Sequence, residues 1–247
     1  MPKWPACAPV VIREDGSLSK ELAVPYFVQP TGITCQSTCL KMMGAFLEQQ
    51  EAGDSDSVRI ICKLPIQGIW EDLNAPRGED QRPSKLRNAH INLKWWLEQR
   101  FRRIKFDYST VSWPSIALER IVRFINGGLP VLVSVSHSRV EGHIVLVVGY
   151  QDYFPASADP SSAKLVVHDP YGRFDPLLAD SPASTSFPAN AWGNQPGGGR
   201  FCRGYSLAAG GEIGPGMNCL LPVTALCRRR ASDAHYGCYY LLSGVPT

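Results

Sequence analysis

Four residues of this 247-residue chain have the types and the order that thiol-dependent acyl transfer requires. The chemistry needs a nucleophilic thiolate, a base that takes the thiol proton, a group that orients the base, and a donor for the oxyanion. We predict that Cys35 is the nucleophile, His143 the general base and Asp169 the group that orients it. Gln29 lies six residues before the cysteine, so we predict that its amide helps to bind the oxyanion.

The local sequence places Cys35 at the start of a helix. Residues 24–28 are apolar and predict a short strand, which a proline–glycine turn follows. Apolar residues then recur with helical spacing from Cys35 to Leu47, and Thr34 is a competent N-cap. The N–H groups at a helix start carry partial positive charge, which favours a thiolate over a thiol.

The residues around His143 and Asp169 predict an antiparallel meander. Residues 129–138, 143–152 and 164–170 are rich in Val and Leu and are bounded by Gly, Pro and Ser. His143 then opens one strand and Asp169 ends the next. We expect the carboxylate to accept a hydrogen bond from Nδ1 of the imidazole.

Two further helices are predicted between the cysteine helix and the meander. Residues 85–103 place their apolar side chains on one face of a helix, with a solvated basic face opposite. Residues 112–126 form the second helix, with Ser112 or Ser115 as the N-cap and Gly127 at the end.

The chain reads as one α+β domain with an N-terminal arm. Residues 1–22 alternate proline, charged and small residues and predict an arm on the surface, whereas residues 23–247 form the domain. Residues 175–216 are dominated by Gly, Pro, Ser and Asn and predict a long excursion near the site. The apolar runs after this excursion predict strands that return to the sheet.

Composition excludes several classes of partner and cofactor. The net charge is only +3, so the protein has no strong overall positive potential that would indicate a nucleic-acid partner. The eight cysteines form no pair of CxxC motifs, and we predict no metal and no organic cofactor. No apolar run approaches the roughly 20 residues of a membrane helix, and no signal peptide is evident. We expect a protein that is cytoplasmic as synthesised, without membrane insertion; the oligomeric state is open.

Three segments carry a family resemblance: PYFVQPTGITCQSTCLKMM, GGLPVLVSVSHSRVEGHIVLVVGYQD and LVVHDPYGRF. They resemble the Gln/Cys, His and Asp boxes of cysteine peptidases related to the bacteriocin-processing, double-glycine-leader peptidases of the papain superfamily. The resemblance covers residues 24–48, 127–152 and 165–174. This chain differs in having Gln36 after the cysteine, where many members have Gly, and in a twelve-residue insertion between the His and Asp strands.

The resemblance implies a papain-like fold, in which a cysteine-bearing helix packs on an antiparallel sheet, and the same roles for the four residues. It also implies hydrolysis of a peptide or amide bond through a thioester acyl-enzyme. Standalone members occur in bacteria and phages, so a peptidoglycan stem peptide or a protein is the expected substrate; action on a cell wall would need non-classical release. An acyltransferase of the same fold and a non-catalytic peptide-binding module remain alternatives.

Other thiols and imidazoles could take the predicted roles. Cys39 lies one turn after the nucleophile and is the alternative nucleophile, although a buried bystander thiol is the simpler interpretation. His168 is the alternative base, but strand alternation points it away from the side of its neighbouring acid. The remaining histidines are predicted to lie at the surface: His90, His137 and His235.

Overall fold

The structure is a computed structural model that describes residues 9–30, 34–52, 60–74, 90–135, 143–156, 159–172, 216–227 and 237–246. Its helices are α1 (Cys35–Ala52), α2 (Ile60–Lys63), α3 (Ile66–Asn74), α4 (His90–Glu98) and α5 (Pro114–Asn126), with a 3₁₀ turn at Val223–Leu226. Its strands are β1 (Val11–Ile12), β2 (Leu18–Glu21), β3 (Ile104–Val111), β4 (Val131–Val135), β5 (His143–Tyr153), β6 (Lys164–His168), β7 (Cys219–Pro222) and β8 (Tyr239–Pro246).

Within these residues, eight strands form one antiparallel sheet with β5 at its centre. The order is β1-β2-β5-β4-β8-β3, and β6 pairs with β5 on one side and β7 on the other. The predicted meander of β4, β5 and β6 is confirmed, as are the returning strands β7 and β8. The long run of β-branched and aliphatic residues in these strands suits a buried pleated surface.

Helices cover both faces of the middle of this sheet. Every residue of β4 and the first eight residues of β5 are buried, which requires cover on both sides. Both α1 and α5 contact β5. The inward side chains of α1, such as Leu40, Met43 and Leu47, are fully buried. The predicted α+β fold, with a cysteine-bearing helix packed on an antiparallel sheet, is confirmed.

The predictions near the N-terminus need correction. Residues 24–28 form no strand; the chain from residue 22 to residue 29 is irregular and attaches to the sheet through single hydrogen bonds. The strands lie earlier, in β1 and β2, inside the segment predicted as an arm. Leu18–Glu21 pairs with β5, so this part of the arm belongs to the sheet.

The two helices before the meander, α4 and α5, also differ from the predictions in where or how they begin or end. Helix α4 ends at Glu98, and the next residues turn into β3, a strand that the sequence analysis missed. Neither serine caps α5: Trp113 occupies the N-cap position without a side-chain hydrogen bond, and Pro114 begins the helix. A proline at the first position tolerates the missing cap, because its φ angle is already helical and it has no N–H to satisfy.

The aromatic and basic residues near the end of α4 have a structural role. Trp96 is fully buried, and the Arg100 guanidinium lies 3.8 Å above its ring. The same guanidinium pairs at 2.6 Å with the Asp72 carboxylate, which also accepts from the Trp96 indole N–H at 3.2 Å. These contacts join α4 to α3, so Arg100 does not belong to the solvated basic face that was predicted for this helix.

Candidate active site

Cys35 is the first residue of α1, as predicted. The Thr34 carbonyl accepts the first helical hydrogen bond, from the Thr38 N–H at 2.9 Å. The same carbonyl accepts from the hydroxyls of Ser37 and Thr38, at 3.1 and 2.8 Å. Thr34 therefore occupies the N-cap position, and Cys35, which is 6% exposed, lies where the helix presents its unsatisfied N–H groups.

The two thiols of the first helical turns have different partners. The Cys35 Sγ–H donates to Oε1 of Gln36 at 3.5 Å, so the residue that differs from the family pattern touches the sulfur. The Cys39 Sγ–H donates to the Ile144 carbonyl at 3.3 Å. Complete burial, with the charges of Cys35 and Asp169 nearby, raises the pKa of Cys39 well above its ordinary value. Cys39 is thus held as a neutral thiol beneath β5.

His143 is the first residue of β5, and its ring reaches Asp169. The Nε2 atom lies 2.7 Å from Oδ1 of the carboxylate, and both side chains are fully buried. The prediction that Nδ1 faces the acid was wrong. The ring nitrogen that contacts the carboxylate is Nε2. Nδ1 is therefore the ring nitrogen that can serve the Cys35 thiol.

The surroundings of His143 favour its protonated form. Burial by itself would lower the pKa of His143, because a charged ring is poorly solvated there. The charge of Asp169 and its hydrogen bond act in the opposite direction, and a hydrogen bond with the Cys35 side chain adds to them. Together they raise the pKa of His143 to about 9. The ring can therefore hold a proton at neutral pH beside a thiolate.

Asp169 is fixed through both its side chain and its backbone. Oδ1 also accepts from the Tyr171 N–H at 2.9 Å, which holds the carboxylate oxygen that faces His143. The Asp169 N–H donates to the Gly216 carbonyl at 2.8 Å, and the Asp169 carbonyl accepts from the Tyr26 hydroxyl at 2.9 Å. The carboxylate thus has little freedom to turn away from the imidazole.

Gln29 lies beside the turn that follows Asp169. It is 1% exposed, and its backbone N–H donates to the Pro170 carbonyl at 2.8 Å. The structure thus brings Cys35, His143 and Asp169 together in one buried site and ties Gln29 to the residue after the acid. The individual catalytic roles of these four residues stay predictions.

His168 is held by two backbone groups. Its Nε2–H donates to the Val24 carbonyl at 3.0 Å, and its Nδ1 accepts from the Asn218 N–H at 3.2 Å. This pair of partners requires a neutral ring, and burial lowers the pKa of His168 accordingly. His168 therefore ties the segments around Val24 and Asn218 to the end of β6.

The third histidine that the structure describes is His90. The prediction that His90 lies at the surface was wrong, because it is 6% exposed. Its ring packs edge-on against Tyr108 and Tyr240, with centroids 5.3 and 6.2 Å away. His137 and His235 lie outside the described residues.

Two tyrosines near the acid were missed by sequence reasoning. The ring of Tyr171 stands edge-on to His143, with centroids 6.2 Å apart. Tyr26 contacts the backbone of Asp169. Both lie inside the segments that carry the family resemblance, three residues before Gln29 and two after Asp169. Neither tyrosine has a nucleophilic or acid–base role in the predicted reaction, so no sequence signal singled them out.

In the part of the chain that the structure describes, no three His, Cys, Asp or Glu side chains are grouped so that they could hold a metal ion. Among the same residues, no helix has both the length and the apolar character needed to cross a membrane.

Comparisons with known proteins identify the family. The model of the Peptidase_C39-like family matches residues 21–195, which is more than half of the chain. One matching solved structure is the crystal structure of UfSP from C. elegans, with 10% identity and a TM-score of 0.44. That match covers 93% of this chain and 34% of the UfSP chain, so the chain spans about a third of that length. No curated protein matches the chain in sequence. The chain belongs to the Peptidase_C39-like family.

Proposed function

We propose that this protein hydrolyses a peptide or amide bond through a thioester acyl-enzyme on Cys35. The observation that carries the proposal is the buried contact of 2.7 Å between His143 Nε2 and Asp169 Oδ1, on a ring that also hydrogen-bonds to Cys35. A thiol, an imidazole and a carboxylate in this order form the relay that nucleophilic acyl transfer requires.

In the first half-reaction, His143 takes the proton of the Cys35 thiol, and the sulfur attacks the carbonyl carbon of the substrate. The carbon–sulfur bond forms while the carbonyl electrons move to oxygen. The oxyanion is bound by N–H donors at the start of α1 and by the side-chain amide of Gln29. When the oxyanion collapses, the carbon–nitrogen bond breaks, and His143 gives its proton to the leaving amine. A thioester remains on Cys35.

In the second half-reaction, a water molecule attacks the thioester while His143 removes one of its protons. When the second oxyanion collapses, the carbon–sulfur bond breaks and the carboxylic acid leaves, so that the Cys35 thiolate again stands beside protonated His143. Asp169 takes no proton in either step; it keeps Nε2 oriented and supports the positive charge of the ring. No metal or organic cofactor enters this sequence of steps.

We extend the proposal to the substrate by family resemblance: a peptidoglycan stem peptide or a protein segment. The test is to incubate the purified full chain with cell wall and with a peptide library, and to identify new termini by mass spectrometry. We expect cleavage by the wild type and none by Cys35→Ala at an equal folded fraction. Cys39→Ser is the matched control, because its hydroxyl can still donate to the Ile144 carbonyl.

Four outcomes would contradict the proposal or part of it. Cleavage that survives in Cys35→Ala would remove Cys35 as the nucleophile, and its loss only in Cys39→Ser would move the nucleophile by one turn. Products in which an added amine replaces water would make the protein an acyltransferase. A wild type that binds these peptides and never turns them over would make it a binding module.

A further inference from the structure

Tyr26 joins three chain segments at the turn that carries Asp169. Its hydroxyl donates to the Asp169 carbonyl and accepts from the Gly216 N–H, each at 2.9 Å. The Asp169 N–H in turn donates to the Gly216 carbonyl at 2.8 Å. These three hydrogen bonds close a ring among residues that lie far apart in the sequence. Tyr26 itself is half-buried.

The backbone of Gly216 is pressed against this turn. A Cβ atom at Gly216 would lie 2.1 Å from the Asp169 carbonyl oxygen and 2.4 Å from that of Gly172, distances that no side chain can adopt. Only glycine permits this approach. The Gly216 backbone therefore packs directly against the Asp169 backbone. The Tyr26 hydroxyl forms hydrogen bonds with both residues.

The geometry of the acid depends directly on this backbone. Only two rotatable bonds separate the Asp169 carboxylate from its own Cα, so a shift of the Asp169 backbone moves Oδ1. That oxygen makes the 2.7 Å contact with His143 Nε2 and the 2.9 Å contact with the Tyr171 N–H. A buried hydrogen bond of this kind fixes a reacting group through its outer partners.

We infer that Tyr26 is a positioning residue for the proposed reaction. Its hydroxyl holds the Asp169 backbone against Gly216 and so aims the carboxylate at His143. This inference rests on the proposed function. Tyr26 takes part in no proton transfer: burial, together with the charge of Asp169, raises the pKa of its hydroxyl far above neutral pH, although the Gly216 N–H opposes this.

Tyr26 has a packing role as well, and the test must separate the two. Its ring stands edge-on to His168, with centroids 5.5 Å apart. Tyr26→Phe keeps that ring and removes only the hydroxyl. The matched control is Tyr150→Phe, which also removes a hydroxyl from a buried tyrosine but breaks a 2.7 Å hydrogen bond to Asn126. Tyr26→Phe loses two hydrogen bonds and Tyr150→Phe loses one, so both should melt somewhat earlier than the wild type.

The readout is the rate at which iodoacetamide alkylates Cys35 in the full chain, followed by peptide mass spectrometry across a range of pH. When the Asp169 carboxylate is less well oriented, it stabilises protonated His143 less. The imidazolium then stabilises a smaller fraction of Cys35 as thiolate. We expect Tyr26→Phe to slow alkylation at neutral pH by about tenfold, the loss typical of removing an outer partner. The difference should vanish in alkaline buffer, where the thiol ionises without the imidazolium. Tyr150→Phe should follow the wild type at every pH.

The outcomes distinguish this inference from the proposed function. Wild-type kinetics in a folded Tyr26→Phe protein overturn the inference and leave the function intact, as does an equal slowing in both phenylalanine variants. A wild type whose Cys35 reacts no faster than its other thiols overturns both. If Tyr26→Phe does not fold, the same experiment is run with p-aminophenylalanine at position 26. This side chain restores the donor to Asp169, and wild-type alkylation supports the inference, whereas a folded but slow protein overturns it.

Discussion

Replacing Asp169 by Asn would remove the charge beside His143 while keeping an oxygen that can accept the Nε2–H hydrogen bond. In the wild type the pKa of His143 is raised to about 9 from an ordinary value of 6.5, against the effect of burial. With the charge gone, burial should bring the pKa of His143 to 6.5 or below. A fall of about two units or more corresponds to roughly 3 kcal/mol of preference for the protonated ring.

The same change should appear in the pH dependence of stability. Because the pKa of His143 is higher in the folded state than in the unfolded state, the stabilisation is fully present below pH 6.5. It is lost as the pH rises through about 9, where the folded protein also releases the proton. The free energy of unfolding of the wild type should therefore decline across this window, and that of Asp169→Asn should stay nearly level.

Ring-labelled histidine and NMR titration provide the assay. The chain has five histidines, so the His143 signal can be assigned by its disappearance in His143→Ala. We expect a midpoint near 9 in the wild type and at or below 6.5 in Asp169→Asn. Asp169→Ala, which removes the acceptor as well, should lose more activity than Asn, and both less than His143→Ala. A His143 midpoint near 9 in the Asn variant, or near 6.5 in the wild type, would refute this reasoning.

Three further predictions concern the individual groups of the site. Iodoacetamide should label Cys35 fastest at neutral pH, as peptide mapping would report, and preferential labelling of Cys39 would contradict the assignment. His143→Ala should abolish turnover, whereas His168→Ala should lower the melting temperature and leave the turnover of the folded fraction near normal; the reverse ranking would exchange their roles. Gln29→Ala should lower kcat by about 10²-fold with KM little changed, because an oxyanion donor acts in the transition state. Near-normal kcat in a folded Gln29→Ala protein would remove it from the site.

The meander and the cysteine helix could be predicted because their signals are strong and local. Strands β4, β5 and β6 are Val-rich and Leu-rich runs ended by Gly, Pro or Ser, and such runs have few other ways to fold. Helix α1 combines a capping residue with apolar residues at helical spacing. His143 and Asp169 lie at the ends of these well-marked strands, so the position of the site followed from the same signals.

The wrong secondary-structure predictions concern segments whose conformation depends on which other segment they pair with. Residues 24–28 are as apolar as a strand, but their hydrogen-bonding partners are side chains and single backbone groups, including His168. Leu18–Glu21 contains two charged residues and still forms a strand, because its backbone pairs with that of β5. Strand β3 alternates buried Ile104 and Phe106 with exposed Lys105 and Asp107, a period-two signal that the preceding helix pattern obscured. The choice of imidazole nitrogen depends on three-dimensional direction, which sequence spacing does not contain.

The choice between the two histidines follows from the register of β5 and β6. Leu146 faces His168 across the pair, and residues that face each other in an antiparallel sheet point to the same side. His143 lies three residues before Leu146, and Asp169 lies one residue after His168. Both steps are odd, so His143 and Asp169 share one side of the sheet and His168 points to the other, where it ties down Val24. The irregularity near Gly149 comes further along β5 and leaves this edge unchanged. A slip of one residue would turn Asp169 away from His143 and bring His168 to the side of the thiol, so the register selects the base.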